Sequence, residues 1–229
     1  MTLKRLVLLV EGDGDVKAVP VLVKRLLSEY SAFDAVILDE HPFRVGGYGH
    51  VGFSWWRRYL QAALKRRDVG ACLLILDGDC DRDAAGQAFC AMRAARQLAA
   101  EARHVGAGTL FSVAIVFACM EFESWLIAGA PSLVGQQASD GRLLMPKPPQ
   151  EIPPDPEHAP RNAKGWLGKF VQGGYSASRD QRVLTELIDL GQIRGRGMRS
   201  FIRLESAIKQ LVDAIRAANH TVTPASEIE

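Results

Sequence analysis

Two short apolar runs that each break off into acidic residues set the strongest limit on how this chain folds. RLVLLV is followed by EGDGD, with Glu11 and Asp15, and ACLLIL is followed by DGDCD, with Asp77, Asp79 and Asp81. Continuous apolar runs bounded by Gly and Asp read as strands buried on both faces of a parallel sheet. In such sheets ligands bind beyond the carboxyl ends of the strands. If the two strands are neighbours, their acids converge. Carboxylates packed together repel one another and take up protons unless a cation neutralises them. Hard oxygen ligands suit Mg²⁺ or Mn²⁺. The sequence therefore predicts a divalent-metal site built from these acids.

The length of 229 residues, 48% of them hydrophobic, allows one large domain or one domain with an appendage. A net charge of +2 is too small to imply nucleic-acid binding by itself, so local basic clusters must carry that expectation. The four cysteines, Cys72, Cys80, Cys90 and Cys119, form no CxxC pair and read as reduced thiols of a cytosolic protein. MTLKRLVLLVEGDGD lacks the small-residue cleavage site of a signal peptide, and no run reaches transmembrane length. A soluble, cytoplasmic chain with no membrane partner is expected.

Apolar patterning alternates between short strand-like and longer helical segments, the α/β rhythm. Strands are expected near 4–10, 34–39, 71–77 and 111–118, and helices near 18–30, 55–67, 83–103 and 121–128. Pro20 places the start of the first helix near Ala18 or Val19, because an interior proline removes a hydrogen bond and clashes with the preceding turn. Residues 141–160 are proline-rich and read as a connector along the surface, which separates a core of residues 1–140 from a helical C-terminal extension over 161–219. In that extension Phe201, Leu204, Ile208, Leu211 and Ile215 step by three and four. Residues 220–229 show no pattern and are expected to form a frayed, flexible tail.

Taken alone, EGDGD also suits an ordinary turn with Asp15 as a helix cap. Three aspartates after one strand are harder to explain that way, since one suffices for a turn. Together, hhhhEGxxD followed by hhhhDxDxD resembles the Toprim domain. That catalytic fold is shared by type IA and II topoisomerases, bacterial primases, small ribosomal-RNA-maturing nucleases and the overcoming-lysogenization-defect nucleases. The segments AIVFACMEFESWLIAG, MPKPP, GGYSASRDQ and RGMRSFIRLESAI resemble the bacterial Toprim-like family known as domain of unknown function 4276. That resemblance runs from about Leu6 to about Val212.

The resemblance implies a Rossmann-like, mostly parallel sheet flanked by helices. It also implies that Asp77, Asp79 and Asp81 hold Mg²⁺ or Mn²⁺ and that Glu11 is the general acid or base, its pKa raised by neighbours and burial. Asp15 resembles the extra acid of the two-metal nucleases, and Glu121 and Glu123 are the nearest candidates for a later acid. A spacing of two on a helix points that pair apart, so one at most is expected to face metal. Their alternative role is to meet the helix dipole in a first turn. Proteins of this kind are often companions of an ATPase in phage defence, which suggests such a partner.

Lys147 is a candidate phosphate contact or a solvated lysine. Arg194, Arg196 and Arg199, with Arg203, form the densest basic cluster and read as phosphate contacts or as the solvated start of the last helix. Arg57, Arg58, Lys65, Arg66 and Arg67 with Trp55 and Trp56 make a second basic patch, and HPFRVGGYGHVGF reads as a mobile loop beside the site. The leading expectation is a metal-dependent nuclease acting on DNA or RNA. A DxD sugar-nucleotide transferase and a metal- or nucleotide-binding regulatory subunit without turnover are the alternatives.

Overall fold

The computed structural model describes residues 3–51, 55–83 and 85–225. In chain order, β1 (Lys4–Val10) leads into α1 (Asp13–Glu29), β2 (Val36–Leu38), β3 (Phe43–Arg44), α2 (Tyr48–Val51), α3 (Trp56–Ala63) and β4 (Val69–Asp77). There follow α4 (Ala91–Arg103), β5 (Ser112–Ala118), α5 (Glu123–Ala128), α6 (Ala163–Phe170), α7 (Arg182–Leu187), α8 (Leu190–Gly195), α9 (Arg199–Arg216) and β6 (Val222–Thr223). The strands form a six-stranded sheet in the order β2-β1-β4-β5-β6, with β3 also on β1. Every pairing is parallel.

Alternation along the strands builds two cores. Leu6, Leu8, Val10, Leu73 and Ile75 face α1 and α9 on one side. Val7, Leu9, Cys72, Leu74 and Ile115 face α3 and α4 on the other. Both faces are covered, which is why the strand sequences show no polar alternation.

Several boundaries differ from expectation. α1 begins at Asp13, ahead of Pro20, which lies buried inside it. The Asp15 carboxylate accepts from the Gly12 N–H at 2.9 Å and organises the first turn before the proline is reached. The helix expected from residue 83 starts only at Ala91. Asp83 Oδ1 instead accepts from the Ala85 and Gln87 N–H groups at 3.0 and 2.9 Å, closing a turn in which Gly86 has φ +76°. The glycine-rich stretch expected as a mobile loop carries β3 and α2 and buries Val45 and Tyr48, while its Gly52 and Phe53 lie outside the described residues.

The C-terminal third completes the main core. Leu184, Phe201, Leu204 and Leu211 belong to the same apolar cluster as Leu6 and Leu73. The end expected to fray from His220 supplies β6, whose Val222 and Thr223 register with Val113 and Ala114. Strand pairing and burial of Val222 fix a segment too short to show a pattern.

The proline-rich connector is likewise more than a surface strap, since Leu144 and Met145 are fully buried. Its Glu157 is buried too and accepts from the Arg199 and Ser200 N–H groups at 2.8 and 2.6 Å. That carboxylate satisfies the first turn of α9 from outside the helix. Replacing it, Glu157→Ala, is expected to cost about 2 kcal/mol in urea denaturation, the upper range for a lost cap. An unchanged midpoint would show that water replaces the carboxylate without loss. Among the described residues, no helix is long and apolar enough to cross a membrane.

A carboxylate and lysine cleft at the strand ends

β1 and β4 are adjacent, with Val10 in register with Ile75. Glu11 and Asp77 therefore emerge side by side. Glu11 Oε2 accepts from the Asp77 N–H at 3.0 Å, and Asp77 Oδ1 accepts from the Phe122 N–H at 2.9 Å. The second bond depends on the sharp exit from β5, where Met120 adopts φ +63°, a conformation disfavoured for a residue with a side chain. Asp15 joins from the first turn of α1, its Oδ1 accepting from Gln181 Nε2 at 2.7 Å. Opposite stand Glu123, which accepts from the Tyr175 hydroxyl at 2.9 Å, and Lys164, whose ammonium is 3.0 Å from Glu121 and 3.8 Å from Glu123. Glu11, Asp15, Asp77, Glu123, Lys164 and Gln181 line a cleft of about 370 Å³.

Burial is the main electrostatic influence. It pushes the Asp77 carboxyl well above the usual carboxylate range, helped by the charges of Asp15, Glu11 and Glu123 and opposed by Lys164. Glu11 is raised by burial and by Asp79 and Asp15, against the pull of the Asp77 N–H. Asp15 and Glu123 are raised by burial, each opposed by its hydrogen bonds and by Lys164. Burial works against the Lys164 charge, yet Glu123 and Glu121 hold its pKa above the ordinary lysine range. The lysine is thus a fixed cation. It offsets only part of the negative charge, because four raised carboxylates face it.

Among the described residues, no three His, Cys, Asp or Glu side chains converge closely enough to hold a metal ion as they stand. The donor chemistry still fits a hard cation beside Glu11 and Asp77, where burial and mutual repulsion are relieved by added positive charge. Mg²⁺ commonly keeps several waters and needs only one or two carboxylates, so a closed cage is unnecessary.

Residues 10–209 match the profile of the domain of unknown function DUF4276. The chain belongs to this family. No curated protein and no solved structure matches it.

In this DUF4276 chain the candidate residues divide. Glu11, Asp15, Asp77 and Glu123 share the cleft. Asp79 is exposed and acts on Glu11 through its charge without lining the cleft, and Asp81 is exposed in the turn beyond. The chain leaves the sheet at Asp77, so the three aspartates do not stay on one surface. Glu121 precedes α5 rather than lying on it. For that reason the helical spacing argument does not apply, and Glu121 and Glu123 both reach Lys164.

The expected phosphate contacts lie elsewhere. Lys147 is exposed and Arg194 bridges Glu29 and Glu205. Arg196 borders a separate cleft at α8, and Arg199 borders one at the end of β5. None of the four lines the carboxylate cleft. Of the second basic patch, Trp56 is buried, and Arg57 and Arg66 are held by Glu101 and Asp39.

Lys164, Tyr175 and Gln181 were not singled out as site residues from sequence. Tyr175 and Gln181 do fall within GGYSASRDQ, a segment of the family resemblance, whereas Lys164 sits in no motif. Its only signal is a lysine in the short helix AKGWLGKF, which Lys169 shares.

Proposed function

We propose that this protein is a divalent-cation-dependent phosphoryl-transfer enzyme of Toprim-like architecture, a nuclease that cleaves phosphodiesters of DNA or RNA. The observation that carries the reading is Glu11 against Asp77 at adjacent parallel strand ends, with a lysine held across the cleft. The Toprim relationship rests on motif order together with this placement at the carboxyl ends of a parallel sheet. Asp77 and Asp15, with Asp79 nearby, would hold Mg²⁺ or Mn²⁺ beside Glu11. When bound, such an ion polarises a phosphate oxygen and neutralises charge in the transition state.

The chain's own residues supply the rest. Glu11, with its raised pKa, suits proton transfer near neutral pH. Lys164 is placed to orient a phosphate and to balance its charge. Tyr175 and Glu121 keep Glu123 and Lys164 in position. Beside the cleft runs a groove lined by Lys17, Lys24 and Arg182, with Glu40 the one acid among its lining residues, which favours a polyanionic substrate. A sugar-nucleotide transferase has no need of a glutamate after the first strand. A partner ATPase, as in phage-defence systems, fits the same reading.

A second reading is a metal- or nucleotide-binding subunit without turnover, in which the same buried carboxylates and Lys164 serve binding alone. The deciding assay offers single-stranded and duplex DNA and RNA with Mg²⁺ and Mn²⁺, with and without a neighbouring ATPase. Glu11→Gln is expected to keep substantial cation affinity by calorimetry while losing on the order of a hundredfold in cleavage. Lys164→Met is expected to lose about tenfold to a hundredfold. Wild type that binds cation but cuts none of these substrates would replace the nuclease reading with the binding subunit.

A further inference from the structure

A second cleft, of about 200 Å³, opens at the carboxyl end of β5 between Met92, Phe117, Cys119, Arg199, Arg203 and Pro224. It exists because β6 registers only with Val113 and Ala114, so the later half of β5 has no strand beyond it among the described residues. α4 and the start of α9 wall the gap, leaving an apolar floor with two guanidinium groups at its edge.

Those arginines are four residues apart on α9 and so share one face. Arg194 and Arg216, at either end of the same region, are held by carboxylates. Among the described residues neither Arg199 nor Arg203 has a carboxylate partner. Arg203 is half-buried and donates to the neutral Thr223 hydroxyl at 2.6 Å. The nearby Glu157 is occupied by the N–H groups of Arg199 and Ser200. A partly buried guanidinium without a counter-ion is an unbalanced charge, and it points to an anion.

The apolar side is equally incomplete. Met92 is 45% exposed at the rim. The cleft is smaller than the ~300–1,000 Å³ of pockets that enclose whole ligands, so it takes a part of a larger molecule. A flat, apolar body carrying an acid next to it matches a nucleotide. The position matches too. Asp77 is in register with Ala118, the residue before Cys119, so the two clefts open from neighbouring strands, which run ~4.8 Å apart in the sheet.

We propose that this cleft holds one nucleotide of a single-stranded nucleic acid, its phosphate between Arg199 and Arg203 and its base against Met92, Phe117 and Pro224, while another phosphodiester of the same strand lies at the carboxylates. The proposal rests on the phosphodiester reading of that first site. Base stacking on an apolar platform beside arginines is sequence-tolerant, so the subsite confers affinity for single strands rather than base preference.

The test is fluorescence anisotropy of a short fluorescein-labelled single-stranded oligonucleotide with the full chain in EDTA, where cleavage is silent. Arg199→Ala and Met92→Glu both change exposed side chains, so the fold should hold, and Arg203→Lys keeps the charge while losing the planar fork. Each is expected to weaken binding about tenfold, and Arg199→Ala should lower the salt slope by about one phosphate contact. Unchanged affinity in Arg199→Ala and Met92→Glu would overturn the subsite. So would wild type that binds no oligonucleotide but captures an acidic peptide, which would instead indicate strand addition on the open edge of β5.

Cleavage measured in parallel separates the two ideas. Cutting that persists with binding unchanged in these variants removes the subsite and leaves the nuclease reading standing. Lost binding in a chain that never cuts keeps the subsite and removes the nuclease.

Discussion

Asp77→Asn is expected to make the cation-free protein more stable and at the same time to abolish its response to Mg²⁺. The asparagine keeps an oxygen to accept from the Phe122 N–H, the bond Asp77 makes at 2.9 Å, while removing a charge that burial and three neighbouring carboxylates oppose. The folded pKa of Asp77 lies above its unfolded value, so the folded state binds the extra proton. The cost of ionising it is absent below the usual carboxylate range and grows as pH rises from there through the folded pKa. The variant's advantage should therefore be near zero at about pH 4 and on the order of 1–2 kcal/mol at about pH 8. Other acids, Asp180 and Asp34 among them, are held low by arginines and shift stability the opposite way, but they cancel in the comparison of variant with wild type.

Added Mg²⁺ should reverse the order. At about 100 times its dissociation constant a cation stabilises the wild type by about 2.7 kcal/mol and leaves Asp77→Asn unmoved. Thermal unfolding at two pH values, with Mg²⁺ and with EDTA, reads all four terms. Equal stabilisation of both proteins by Mg²⁺ would place the cation away from Asp77.

Gly14→Ala is the substitution with the largest expected structural effect. A Cβ at position 14 would lie 1.9 Å from Gln181 Oε1 and 2.9 Å from Ala177 Cβ, the turn that carries Gln181 to Asp15. Gln181 can swing aside, but Ala177 moves only with its backbone. Relief of that overlap is expected to cost about 3 kcal/mol, at the upper end of overpacking. It should also weaken Mg²⁺ binding, because Asp15 loses its Gln181 partner. Gly12→Ala serves as the control. Its added Cβ meets nothing nearer than Asp15 Oδ2 at 3.4 Å, so a loss below about 1 kcal/mol is expected. Equal losses in the two variants in denaturant would show that the contact between α1 and this turn is not tight.

The α/β class, β1, β4, β5 and the nearness of Glu11 to Asp77 were all legible in the sequence. Continuous apolar runs have one stable environment, the inside of a parallel sheet, and acids at their ends must then gather at one edge. The periodic positions of α9 were legible for a similar reason, since Phe201, Leu204, Ile208 and Leu211 form one helical face. What lacked a local signal was decided by tertiary contact. Pro20 stayed in a helix because the face of α1 around it, Ala18, Val19, Leu22 and Val23, is buried in the main core. β6 formed because β5 offered an edge to two residues with no pattern of their own. Lys164 entered the site because α6 packs on α5, which sets its ammonium between Glu121 and Glu123. Residue type and spacing determine which face a side chain takes within its own element. Which distant element meets that face depends on how the layers close over the sheet, and that was decided only in the folded chain.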